Sequence, residues 1–164
     1  MNIESIQAAV TASIQESMEW QHSRKEWTQN IKLKLVQLAH ENNCYACCSG
    51  VPSADWGEWL YDLVVLRYAG NDSNKVIEST ELVVESEWDS DDVSILIDFQ
   101  KLLLSNADIK LMVYYKNNTI RDVLEQSVRR YAKSNGTFLL AFLPGDDADV
   151  IFYTIRGNDQ ESTR

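Results

Sequence analysis

Glu85-Ser86-Glu87 sets two carboxylates two residues apart at the end of the apolar run Leu82-Val83-Val84. On a strand, side chains at that spacing share a face and stand roughly 6.5–7 Å apart. Asp62 follows Leu60 and Tyr61 and precedes Leu63-Val64-Val65. A charge inside such a run is costly unless it is paired, exposed or bound to metal. If the two runs pair as a hairpin in a suitable register, Asp62 falls beside Glu85. Two or three carboxylates converging there would form a hard oxygen site suited to Mg²⁺ or Mn²⁺.

Other chemistry-bearing residues have plainer readings. His40, Cys44, Cys47 and Cys48 put four soft ligands within nine residues. Structural zinc usually ties two separated ligand pairs, so Cys44 to Cys48 reads better as a short buried strand with cysteine as a small hydrophobe. A catalytic cysteine would need a histidine partner that the sequence does not identify. Trp56 and Trp59 flank Gly57-Glu58 just before Asp62. They could stack on bases, although tryptophans serve more often as packing anchors. Asp98 and Lys101 are spaced i,i+3, the spacing of an ordinary surface ion pair on a helix.

The elements that must position these groups follow from periodicity. Ile3, Ile6, Val10, Ile14 and Met18 recur at helical spacing, as do Trp27, Ile31, Leu35 and Leu38. Residues 44–49 are a candidate short strand, and 50–57 a loop. Residues 59–68 and 80–88 read as two strands of a hairpin with a turn at 69–75. Ser90 stands as the N-cap of a third helix, with Asp91 and Asp92 in its first turn. That helix carries the apolar stripe Ile95, Leu96, Phe99, Leu102 and Leu103, and a second stripe of Val93, Ile97 and Leu104. A helix apolar on two sides is usually covered twice, which favours a homodimer. Residues 110–115 read as a strand. Thr119 with Asp122 resembles a capping box for a helix running to about Ser134, with Gly136 as its stop. Residues 137–143 are apolar on both faces, as in a strand covered on both sides. An acidic turn at 145–149 and a last strand at 150–156 follow. The order α-α-β-β-β-α-β-α-β-β implies helical crossovers, a mixed sheet and three layers, α/β/α.

That order, with Asp62 on one hairpin strand and Glu85-Ser86-Glu87 on the next, resembles the PD-(D/E)XK nuclease superfamily, the restriction-endonuclease-like fold. The resemblance covers roughly residues 27–115. It implies that Asp62 and Glu85 hold a divalent metal for phosphodiester hydrolysis. Two departures stand out: no proline precedes Asp62, and Glu87 occupies the position of the motif lysine. Some members use a glutamate there and others recruit a lysine from the following helix, for which Lys101 is the candidate. Glu87 or Lys101 would then orient or deprotonate the attacking water. A glutamate of the first core helix often joins such sites, and Glu26 and Glu41 are the candidates here.

Composition limits the choice of function. The 164 residues are 45% hydrophobic and 24% charged, with a net charge of −10. This suits one globular domain over residues 1–157, with 1–25 as a helical extension and 158–164 as a disordered tail. No signal peptide or membrane-spanning run is evident, so a cytoplasmic protein is expected. The N-x-[ST] triplets at Asn71, Asn117 and Asn135 then carry no glycan. Residues 72–98 hold nine acids and one lysine, which repels a polyanion, whereas 110–133 hold six basic residues and two acids. Two functions are therefore expected to compete. One is a metal-dependent nuclease. The other is a catalytically inactive acidic protein on the same scaffold that binds a basic partner, in an immunity, antitoxin or regulatory role.

Overall fold

A computed structural model describes residues 1–70, 74–132, 135–146 and 148–157. The expected tail at 158–164 lies outside them, as do parts of the turns at 69–75 and 145–149 and the expected helix end at Ser134. The elements follow the expected order: α1 (Ile3–Glu19), α2 (Arg24–Glu41), β1 (Tyr45–Cys48), β2 (Leu63–Ala69), β3 (Val76–Glu87), α3 (Asp92–Leu104), β4 (Ile109–Tyr115), α4 (Arg121–Tyr131), β5 (Thr137–Leu143) and β6 (Ile151–Arg156). The six strands form one mixed sheet in the order β1-β2-β3-β4-β5-β6. β1, β2 and β3 are antiparallel neighbours, β3-β4 and β4-β5 are parallel, and β5-β6 is antiparallel. The parallel pairs need crossovers, and α3 and α4 supply them.

Strand alternation divides the buried residues into two clusters. Leu63, Val65, Val84, Leu111, Val113, Leu139 and Ala141 pack with Ile6, Val10, Ile14, Ile31 and Leu35 of α1 and α2. Val64, Val83, Met112, Tyr114, Leu140 and Phe142 pack with Ile95, Phe99, Leu124 and Val128 of α3 and α4. The two apolar faces of β5 serve one cluster each, as its sequence requires. The second stripe of α3 is open in the single chain, with Val93 65%, Ile97 56% and Leu104 71% exposed. Among the described residues no helix is long and apolar enough to cross a membrane.

Local chemistry sets the element ends, at two places differently from expectation. Ser23 and Glu26 form a reciprocal capping box that starts α2. Asp91, rather than Ser90, caps α3, because its carboxylate accepts from the backbone N–H groups of Val93 and Ser94. The Thr119–Asp122 capping box does not form. Asn117 Oδ1 accepts from Thr119 Oγ1 and the Ile120 N–H instead, and Asp122 pairs with Arg121. α4 also ends early, at Tyr131, so Gly136 is not its stop.

Gly136 has a different reason to be glycine. A Cβ there would lie 2.5 Å from the Ala107 carbonyl oxygen, 2.9 Å from that of Asp108, and against the Lys110 ammonium. Lys110 is buried and donates to the same Ala107 oxygen, and burial pulls its pKa down to about 8. Gly136→Ala should therefore force backbone apart and destabilise the chain by about 1–3 kcal/mol. Thermal melts should show a Tm lower by several degrees, on the order of 2–4 °C per kcal/mol at this size. An unchanged Tm would mean that the Lys110 pocket yields freely.

Candidate active site at the mouth of the β2–β3 hairpin

The hairpin register pairs Leu63 with Val84. Asp62 stands in the bend just before this pair, where the sequence pattern expects it to fall beside Glu85. Alternation along β3 points Glu85 to the α3 side and Ser86 to the α2 side. Asp62 sits where β2 begins and reaches across the hairpin. Its Oδ2 accepts from the Ser86 backbone N–H at 2.9 Å and from Ser86 Oγ at 2.7 Å.

The Ser86 hydroxyl has one proton, and Asp62 takes it. The 3.2 Å contact between Ser86 Oγ and Thr28 Oγ1 must then run from Thr28 as donor. Trp88 Nε1 donates in turn to Thr28 Oγ1 at 2.7 Å. Trp88 is itself packed edge-on against Trp27, 5.4 Å between ring centroids. A directed chain of donors thus runs from a packed indole through two hydroxyls to one oxygen of Asp62.

The other oxygen of Asp62 faces a lysine. Lys32 Nζ of α2 lies 3.6 Å from Asp62 Oδ1 and 3.7 Å from Glu58 Oε2, with its side chain almost wholly buried. Glu58 also accepts a short hydrogen bond from Ser49 Oγ. The first core helix therefore contributes a cation where the family resemblance implied Glu26 or Glu41. Glu26 is occupied in the α2 capping box, and Glu41 lies at the exposed end of that helix. Thr28 and Lys32 are spaced i,i+4 beside the apolar stripe of α2, the one sequence signal that could have found them.

Glu85 is only 2% exposed. Lys101 Nζ of α3 lies 3.1 Å from its Oε1 and 2.8 Å from Asp98 Oδ1. The ammonium lies nearer to Asp98, and among the described residues Glu85 Oε1 has no aligned hydrogen-bond donor. Burial raises the Glu85 pKa to about 8, the Asp62 charge adds to the rise, and Lys101 opposes it. For Lys101, burial acts downward, but the contacts with Asp98 and Glu85 outweigh it and hold the ammonium well above its ordinary value. The helix lysine thus stands beside the Glu85 carboxylate, and its pairing with Asp98 is half of a three-group cluster.

Glu87 does not join them. Its Oε1 accepts from the backbone N–H of Asp89 in the turn after β3, so the three-carboxylate convergence becomes a pair, Asp62 and Glu85. Among the described residues no group of three or more His, Cys, Asp or Glu side chains forms a cation cage. The pair still suits Mg²⁺, which keeps most of its waters and often takes only one or two protein carboxylates. A buried Glu85 oxygen without an aligned donor has the unmet acceptor capacity such a cation would satisfy.

The cysteines settle into packing roles, while Trp56 and Trp59 stay partly exposed. Cys44 and Cys48 belong to one core cluster and Cys47 to the other, on opposite faces of β1. His40 pairs with Asp55 at 3.0 Å, so the four candidate zinc ligands do not converge. Burial pushes all three thiols up, away from the thiolate. Trp56 stacks on Tyr45 beside Tyr68, and Trp59 is half-exposed in the loop before Asp62. Comparison with protein-family models, curated proteins and solved structures found no match for the chain.

Glu85 gives the site a pH signature. Its proton is held to about pH 8 in the folded chain, against an ordinary value of 4.5. The folded state therefore binds more protons between those values. The stability this contributes is complete below about 4.5 and lost as pH rises through about 8. Between about pH 5 and about pH 8.5, wild-type Tm should fall more than that of Glu85→Gln, by an amount on the order of 1–3 kcal/mol of stability. Parallel melting profiles would show that Glu85 titrates as an ordinary carboxylate.

Proposed function

We propose that the protein is a metal-dependent phosphodiesterase acting on nucleic acid, a divergent nuclease on a three-layer, restriction-endonuclease-like core. One observation carries the reading: Glu85 of β3 and Lys101 of α3 stand 3.1 Å apart at the mouth of the β2–β3 hairpin, and the Asp62 carboxylate, held by Ser86 and Lys32, lies close enough for its charge to raise the Glu85 pKa. The topology supports it as well. An antiparallel β1-β2-β3 meander is followed by α3 and a strand parallel to β3, with apolar clusters on both faces of the sheet.

The roles follow from position. Asp62 and Glu85 would hold the divalent cation, which when bound supplies charge stabilisation to the phosphoryl oxygens. Ser86 and Lys32 fix the Asp62 carboxylate, so its orientation does not depend on ligand. Lys101 is anchored by Asp98 and can orient the attacking water or contact a non-bridging phosphate oxygen. Without the cation Glu85 keeps its proton near neutral pH, so binding of the metal would release that proton as the carboxylate becomes a ligand. Glu87, expected to share the task of handling the water, instead accepts from the Asp89 backbone N–H through Oε1, which leaves that task to Lys101 in this reading.

A second reading, an acidic protein that binds a basic partner without catalysis, is favoured by two observations. The net charge is −10, and both site carboxylates already have lysine neighbours. The experiment that separates the two is hydrolysis of labelled DNA and RNA with Mg²⁺, Mn²⁺ or EDTA. The nuclease reading expects cleavage that needs metal and falls by at least about 10²-fold in Asp62→Ala and in Lys101→Met, the loss typical of removing one positioned catalytic group. Cleavage unaffected by those substitutions, or none with either metal, would overturn it in favour of the binding protein.

A further inference from the structure

At the other edge of the sheet, α4 and the edge strand β6 enclose a cleft of about 700 Å³. Arg121, Arg129 and Arg156 line it together with Glu125, Tyr153 and Thr154. Three guanidinium groups against two carboxylates, Glu125 and the neighbouring Asp122, leave this surface cationic on a strongly acidic chain. Arg129 is held by Glu125 at 2.7 Å, and Arg121 by Asp122 at 2.9 Å while it lies over the Tyr153 ring at 5.0 Å. Tyr114, fully buried on β4, leaves its hydroxyl without a hydrogen-bond partner and shares its electrostatic surroundings with Arg121 and Tyr153. Polar capacity is thus left unmet beside the cationic cleft.

The position of the cleft relative to the carboxylates gives it a use. Glu85 pairs in parallel register with Met112, and Met112 with Leu140, so β3, β4 and β5 run in the same direction. Their C-terminal ends lie at one end of the sheet. Arg121 opens α4 at that end, just after β4, and Asn117 ties the loop before it to Ser90 O and Asp92 Oδ1 at the start of α3. Three strand spacings, about 14 Å, separate Glu85 from Tyr153 at the same level of the sheet, and from there the cleft runs along β6 to Arg156, opposite Thr137 at the start of β5. At about 3.4 Å per stacked nucleotide, the three spacings are roughly four nucleotides.

We propose that the α4–β6 cleft seats the phosphodiester backbone of a nucleic acid strand through Arg121, Arg129 and Arg156, about four nucleotides from the bond held at Asp62 and Glu85. The proposal rests on the phosphodiesterase reading and goes beyond it by assigning the surface that binds substrate. Arginine forks match phosphate oxygens, and the Tyr153 ring offers a stacking face. The cleft also answers the charge problem. An acidic protein can hold a polyanion if its few cations lie along one track, and the carboxylates themselves need only approach it locally. An edge strand could instead accept an acidic peptide as an added strand, and the test separates the two.

The experiment is fluorescence anisotropy of labelled oligothymidylates with the full chain in EDTA, so that binding is read without cleavage. Wild type should bind oligomers longer than about four nucleotides much more tightly than shorter ones. Arg121→Gln combined with Arg156→Gln should weaken binding by at least about tenfold, the loss expected for charged hydrogen bonds. The same double variant should reduce the slope of log affinity against log salt by about 1.4, at about 0.7 per phosphate contact. Glu125→Gln should strengthen binding, a gain that misfolding cannot imitate. If the double variant binds like wild type with the same salt slope, the cleft is not the track, even where metal-dependent cleavage persists. Binding that depends on the arginines without cleavage in Mg²⁺ or Mn²⁺ leaves the track standing and removes the phosphodiesterase. No binding to any oligonucleotide, or an acidic peptide that oligonucleotide cannot displace from the cleft, overturns the proposal.

Discussion

A carboxylate removed almost wholly from water is the constraint around which this fold is arranged. Glu85 lies in the interior of the sheet at 2% exposure, next to Ser86, which holds the Asp62 carboxylate. An isolated charge there would be prohibitive, and two adjacent anions would repel. The molecule answers in three ways. Glu85 holds its proton to higher pH, Lys101 stands beside it, and Asp62 is drawn toward Ser86 and Lys32. Each answer fixes an element. Lys101 ties α3 to β3, Lys32 ties α2 to the start of β2, and Ser86 closes the hairpin mouth.

The two lysines place their charges differently. Lys32 is almost buried and meets two carboxylates at 3.6 and 3.7 Å, too far for strong hydrogen bonds to either. Its field acts on both without dictating their geometry, whereas Ser86 sets the direction of Asp62. Lys101 has one firm anchor in Asp98 and a looser ion pair with Glu85. A cation anchored on one side and loosely paired on the other is suited to exchange partners when a phosphate or water arrives. The donor chain from Trp88 through Thr28 to Ser86 holds only one oxygen of Asp62, and the other faces Lys32.

Much of the architecture was legible because it depends on local chemistry. All ten elements appear in the expected order, and β5 spans the residues that its two-faced apolar pattern marked. Misreadings gathered at element ends, where several short polar residues compete for the same N–H groups. Asp91 and Asn117 won those competitions over Ser90 and Thr119 because their side-chain carbonyl oxygens reach the exposed donors. Gly136 was read as a helix stop, and its reason proved to be the backbone crowded around Lys110. Proximity of that kind, between residues far apart in the chain, leaves no mark in periodicity.

The candidate site divides along the same line. Period-two alternation and the apolar runs were enough to place Asp62 and Glu85 near one end of the same hairpin, because a strand's register follows from which of its faces is buried, but Asp62 turns to Ser86 and Lys32 while Glu85 meets Lys101. Lys32, Ser86 and Glu58 came only with the tertiary structure, as did the meeting of Arg156 with Arg121 and Arg129 of the basic segment 110–133. Each is an ordinary polar residue in its own segment. It acquires meaning from a neighbour on another element, a long-range relation that chain packing creates and local spacing does not encode.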